Sequence, residues 1–76
     1  MKEGDLTRLR KMGLPKDDLL YLIDQWILKE RDRELLKHCL VDGMSIEMAS
    51  ELVDCSPRGA AKMIKRGCSA ILLHVH

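Results

Sequence analysis

Residues 45–66, SIEMASELVDCSPRGAAKMIKR, decide how this chain is read. Ser45 can accept a hydrogen bond from the first turn of one helix, and Ser56 followed by Pro57 makes the best helix start in the sequence. Because the two starts are close together, the first helix must be short and a tight turn must follow it. Ile46, Ala49, Ser50 and Val53 then share one side of the short helix, while Ala60, Met63, Ile64, Gly67 and Cys68 continue an inward stripe along the second. Arg58, Lys62, Lys65 and Arg66 are left on the outer surface of that second helix. A cationic rod about 10–12 Å wide fits the major groove of duplex DNA, so the stretch reads as a helix-turn-helix.

Working outward, residues 1–13 form a short N-terminal helix around Leu6, Leu9 and Met12, or a flexible arm, and residues 14–76 form the helical domain proper. Pro15 suits a first helical position, with Asp17 and Asp18 near the positive helix end. A helix over about 15–29 carries the apolar stripe Leu19, Leu22, Ile23, Trp26 and Ile27, with Trp26 as its largest core anchor. The next helix runs from Arg31 or Asp32 to Val41, with Leu35, Leu36, Cys39 and Leu40 inward, and Gly43 supplies positive φ just past its end. The last helix continues from Ser56 to about His74. Its distal positions Cys68, Ile71, Leu72 and Val75 need a cover, expected from the helix around Leu19, Ile23 and Trp26. The expected fold is all-α, a small domain of four to five helices.

The chain has 76 residues, enough for one core and not for two. Apolar residues make up 46% and charged residues 33%, a balance that excludes a disordered tail. Trp26 and Tyr21 are its whole aromatic content, which argues against base stacking of the kind single-stranded nucleic-acid modules use. The net charge is +1, but its distribution is uneven: residues 57–76 hold Arg58, Lys62, Lys65 and Arg66 and no carboxylate, whereas residues 17–34 hold Asp17, Asp18, Asp24, Glu30, Asp32 and Glu34. The first end is a candidate phosphate-facing surface. Cys39, Cys55 and Cys68 are widely spaced and odd in number, which fits a reducing, cytoplasmic setting. No apolar stretch reaches the roughly 20 residues needed to span a bilayer, so no membrane association is expected.

Extended upstream, the string RDRELLKHCLVDGMSIEMASELVDCSPRGAAKMIKRG (residues 31–67) resembles region 4 of bacterial sigma-70-type factors. Leu35, Leu36, Leu40, Asp42, Gly43, Ser45 and Glu47 match the family's opening helix and approach to the motif. Val53, Asp54, Cys55 and Ser56 fall on its turn and cap places. The layout is similar to that of the short sigma-like helix-turn-helix proteins of Gram-positive bacteria and their mobile elements, which add an N-terminal helix like YLIDQWILKERDRELL (residues 21–36). The resemblance implies duplex DNA binding in transcription regulation, with RNA polymerase or another transcription protein as a further partner. On that reading Arg58, Ala61 and Lys62 face base edges, and Ser45, Lys65 and Arg66 lie on or near backbone phosphates. The sequence departs from the family at Ser50, where alanine is usual, at Asp54, where the turn glycine is usual, and at Gly59 and Ala60, which are small where the family has larger side chains.

Two other classes of function compete. For an enzyme, His38, His74 and His76 with Cys39 and Cys68 are the available metal or catalytic groups, but His38 and Cys39 are adjacent and diverge on a helix, and the other histidines are terminal. No Gly-rich phosphate loop is present, so no catalytic residue, metal or cofactor is expected. The alternative is a helical protein-interaction module that binds polymerase or a regulator, or a dimeric scaffold. A homodimer through Cys68, Ile71, Leu72 and Val75, or through Leu6, Leu9 and Met12, competes with a monomer recruited by a larger complex.

Overall fold

Five helices follow one another in the computed structural model, which describes residues 4–75: α1 (Asp5–Met12), α2 (Lys16–Trp26), α3 (Glu30–Leu36, prolonged by a π-helical turn over Lys37–Val41), α4 (Ile46–Leu52) and α5 (Pro57–Leu72). No strand occurs among the described residues, and the expectation of an all-α domain holds. Residues 1–3 and His76, the latter weighed above among the available metal or catalytic groups, lie outside the described residues.

The apolar periodicity of α5 organises the core. Ala60, Ile64, Cys68 and Ile71 recur every three or four residues, and each is 1% exposed or less. Leu35, Leu36 and Cys39 meet this stripe from α3 and its π turn, Ala49 and Val53 from α4 and its end, and Ile23 and Ile27 from α2 and its end; all belong to one buried cluster. Gly67 is where α5 comes closest to α3: a Cβ placed there would stand 2.5 Å from Leu36 Cδ1 and 3.3 Å from Leu36 Cγ. Leu36 is itself fully enclosed, so its side chain has nowhere to swing.

The far end of α5 is covered differently from the expectation. α1 lies along α5 at least as extensively as α2 does, with Leu9 only 1% exposed, and Leu6, Leu72 and Val75 are partly buried around the same cluster. Much of the apolar surface considered for pairing two chains is therefore used within one chain.

α2 is also shorter than its apolar stripe implies. It stops at Trp26, where Ile27 turns into extended backbone (φ −111°, ψ 113°) and the Arg33 guanidinium, reaching back from α3, donates to the carbonyls of Ile27 and Asp24. Ile27 takes the inward place at 6% exposure, and Trp26, expected to anchor the core, is 45% exposed. Its indole instead lies flat on the His74 ring, with centroids 3.5 Å apart and 4° between planes. Pro15 is the residue before the first helical position rather than the first itself.

The end of α3 is held by α1. Gly43 adopts φ +72°, as its place past a helix end requires, but the closing bonds are one residue longer than in an ordinary Schellman end: Met44 N–H donates to His38 O, and Asp42 N–H to Lys37 O. The Cys39 carbonyl, the usual acceptor for Met44, instead receives the Arg10 guanidinium through Nε (3.3 Å) and Nη2 (3.0 Å), and Nη2 also reaches Met44 O at 2.9 Å. One α1 side chain thus ties the end of α3 to the start of α4.

The Gly67 contact predicts an unusual response to substitution. Glycine in a helix interior ordinarily costs about 1 kcal/mol relative to alanine. Here Gly67→Ala should lower stability by about 1–3 kcal/mol, because the methyl group overpacks Leu36. In urea denaturation, Leu36→Ala should cost less in the Gly67→Ala background than in the wild type. A gain in stability for Gly67→Ala alone would show that the two helices do not approach this closely.

Candidate nucleic-acid interface

The arrangement of α4, the turn and α5 follows from four local devices. Ser45 precedes α4 in extended backbone and its Oγ accepts from Met48 N–H at 3.2 Å. α4 then ends in a Schellman turn, with Cys55 N–H donating to Ser50 O (3.0 Å) and Asp54 N–H to Glu51 O (3.3 Å). Such a turn needs a left-handed residue, and Asp54 supplies it at φ 55° where glycine would fit without Cβ crowding. Ser56 Oγ accepts from Gly59 N–H at 3.2 Å, and Pro57 occupies the first helical position of α5.

The two helices cross closely because small residues meet there. Ala49, Ser50 and Ala60 are each fully buried. Ser50 would be a costly polar group in that place, but its hydroxyl donates to Glu47 O at 2.7 Å and so is satisfied within its own helix. Ser50 is therefore accommodated at the crossing as a small residue.

With Ala60, Ile64, Gly67, Cys68 and Ile71 turned inward, helical geometry leaves Arg58, Lys62, Lys65 and Arg66 on the opposite side, with Ala61 toward its edge. All five are exposed, as is Ser45 at the head of α4. The structure therefore brings the five α5 residues singled out from sequence onto one helix surface. Ser45 stands on a different element; its Oγ is engaged as a cap, and its hydroxyl proton remains able to donate. Among the described residues, Arg58, Lys62, Lys65 and Arg66 enter no ion pair within the chain. A cationic surface without internal neutralisation attracts polyanions over distances of about a Debye length, 8–10 Å at moderate salt. Gly59, one-third of a turn from Arg58, is half-buried beneath the Ser56 cap and offers no side chain to a ligand.

Other polar groups are less suited to chemistry. His38 Nδ1 lies 3.2 Å from Asp42 Oδ2 on the surface of the π turn. No grouping of three or more potential metal ligands occurs among the described residues. Cys39 and Cys68 are fully enclosed; burial raises both thiol pKa values, and Cys68 is pushed up to about 12, with nearby Asp5 and Cys39 adding to burial and Arg10 opposing it. A thiol held protonated is a poor nucleophile and a poor metal ligand.

Sequence reasoning missed a second surface. Trp26, Leu28, Met63 and Ala70 line a shallow groove between the end of α2 and α5, walled by Lys29 and Arg66. Leu28 is 86% exposed, and the Asp32 carboxylate on the same groove has a buried oxygen without a hydrogen-bond partner. The apolar stripe of α2 masked this feature, since its spacing places Trp26 on the same side as the buried Leu19 and Ile23.

No protein-family model matches the chain, and neither a curated protein nor a solved structure was found to be similar to it.

The left-handed Asp54 gives a direct test of the turn. Asp54→Gly should raise stability by about 0.5–1 kcal/mol, part of the roughly 1–2 kcal/mol steric cost of that conformation being offset by the greater freedom of glycine in the unfolded chain. Asp54→Val should lower stability by more than Asp54→Gly raises it. A thermal midpoint that falls in the glycine variant would contradict a left-handed residue at this place.

Proposed function

We propose that this chain binds duplex DNA in transcription regulation, using α4 and α5 as a helix-turn-helix of the sigma-70 region 4 kind. The observation that carries this reading is the α5 surface: four cations and Ala61 lie exposed on a helix whose opposite side is wholly core, beside a short capped helix and a tight turn. Arg58 and Lys62, with the small Ala61 beside them at the edge of the surface, would meet base edges. Lys65, Arg66 and the Ser45 hydroxyl would meet phosphates. The carboxylates of residues 17–34 lie on other helices, so they do not cancel this surface along its own length.

Few cations take part, so affinity would be modest at physiological salt. A larger transcription complex, with RNA polymerase among its candidate members, would supply the remainder. A cytoplasmic setting accords with three free thiols, and no helix among the described residues is long and apolar enough to cross a membrane.

A second reading, a helical module that binds a protein, is favoured by the groove of Trp26, Leu28 and Met63. Exposed tryptophan and leucine beside an unpartnered acceptor are the materials of a protein interface. The two readings differ in which substitutions matter.

Under the DNA reading, Lys62→Ala weakens binding to a selected duplex by about 1–3 kcal/mol and changes sequence preference, whereas Lys65→Ala weakens every sequence alike and lowers the salt slope by about one. Fluorescence anisotropy against matched and scrambled duplexes across a salt series measures both. Retention on DNA that survives joint neutralisation of Arg58, Lys62 and Lys65 refutes the DNA reading.

A further inference from the structure

α4 carries an exposed face of opposite character to that of α5. Residues 42–57 hold Asp42, Glu47, Glu51 and Asp54 and neither lysine nor arginine. On α4 itself Glu47, Met48, Glu51 and Leu52 are all exposed; Met48 and Leu52, one helical turn apart, are 57% and 60% exposed. Among the described residues neither Glu47 nor Glu51 forms an ion pair within the chain, and neither do Arg58, Lys62 and Lys65 on α5. Two neighbouring helices thus present unneutralised charge of opposite sign, with apolar side chains set among the acidic groups.

We propose that two copies of this chain pair through α4 and α5, the acidic α4 of each copy seated on the basic α5 of the other. The occupant that complements α4 is present in the chain itself. Ala61, a small exposed residue at the edge of the cationic surface, leaves room for Met48 and Leu52 to approach the α5 backbone, while the methylene stems of Arg58, Lys62 and Lys65 cover apolar surface and their heads reach Glu47 and Glu51. A two-fold arrangement uses the same patch on both copies and makes each acid–base seam twice, which closes the assembly at two chains. The near-zero net charge removes the long-range repulsion that would oppose such pairing.

The pair covers Arg58, Ala61 and Lys62, the residues assigned above to base edges. Self-association and duplex binding therefore compete for one surface, and pairing would hold the chain in a form that cannot read DNA. The pairing itself does not depend on the DNA assignment, since its charges and apolar contacts are the same whatever else α5 binds.

The test is sedimentation equilibrium without DNA. At about 50 mM salt, where screening is weak, the wild-type chain should show the mass of two chains in the micromolar range, and self-association should weaken at least tenfold at about 500 mM. Glu47→Lys with Glu51→Lys makes both helices basic, and Arg58→Glu with Lys62→Glu and Lys65→Glu makes both acidic, leaving Arg66 as the one cation of α5. Each variant alone should therefore run as a single chain, and an equimolar mixture should restore the pair because both seams are again of opposite sign. All five positions are exposed, and unchanged helical circular dichroism and thermal midpoint establish that each variant is folded; the single exchanges Glu51→Lys and Lys62→Glu serve if a multiple variant is not. A single-chain mass for the wild type at low salt overturns the proposal and leaves α4 to a basic partner of another kind. A dimer that persists in both variants, or variants that fail to pair when mixed, overturns it as well.

Discussion

Everything that faces outward on α5 is fixed by how closely α5 lies on α3. Gly67 lets the α5 backbone rest against the Leu36 side chain, and a single added carbon would enter the space of Leu36 Cδ1. That contact sets the rotation of α5 about its own axis. With the rotation set, Ala60, Ile64, Cys68 and Ile71 fall inside, and Arg58, Lys62 and Lys65 fall outside without any specific interaction being needed to hold them there. The cationic surface is in this sense a by-product of core packing, set by the rotation of α5 about its own axis.

The corners of the fold depend on two arginines that have no counterpart in the apolar pattern. Arg33 donates to the carbonyls of Asp24 and Ile27 at the end of α2, and Arg10 donates to those of Cys39 and Met44 between α3 and α4. A guanidinium offers several N–H donors in a rigid fork, so it can satisfy carbonyls that a helix end leaves without partners. Hydrogen bonds from a charged donor are worth about 1.5–3 kcal/mol each when the acceptor would otherwise go unpaired. These contacts also explain how the π turn over Lys37–Val41 is tolerated: its widened ladder offsets the closing bonds by one residue, and Arg10 occupies the acceptor thus released.

What was legible in the sequence was whatever depends on near neighbours. Ser45 and Ser56 announced their helices because a cap acts over three residues, and Gly43 announced a left-handed end for the same reason. The inward stripe Ala60, Ile64 and Cys68 was readable from spacing alone, and so the outward position of Arg58, Ala61, Lys62, Lys65 and Arg66 was readable too. The exposed place of Trp26 was not, since the spacing that carries Leu19 and Ile23 inward assigns Trp26 to the same side, and no period predicts the extended Ile27 to whose carbonyl Arg33 donates. The contribution of α1 was hidden likewise: Leu9 and Arg10 act on residues about thirty positions away, through contacts that only the folded chain creates. Asp54 lay between these cases. Its ability to adopt φ 55° was a known cost, and the Schellman bonds on either side of it are what over-determine that conformation.

The account as a whole rests on the claim that the cationic side of α5 is a duplex-binding surface. Titration of a short duplex into isotopically labelled protein, followed by amide and side-chain NMR shifts, tests it most directly. The account predicts changes concentrated at Ser45 and along Arg58, Ala61, Lys62, Lys65 and Arg66, diminishing as salt is raised, with the amides of Asp17, Asp18 and Asp24 undisturbed. Shifts centred on the groove of Trp26, Leu28 and Met63, or no shifts at any duplex concentration at low salt, would contradict it.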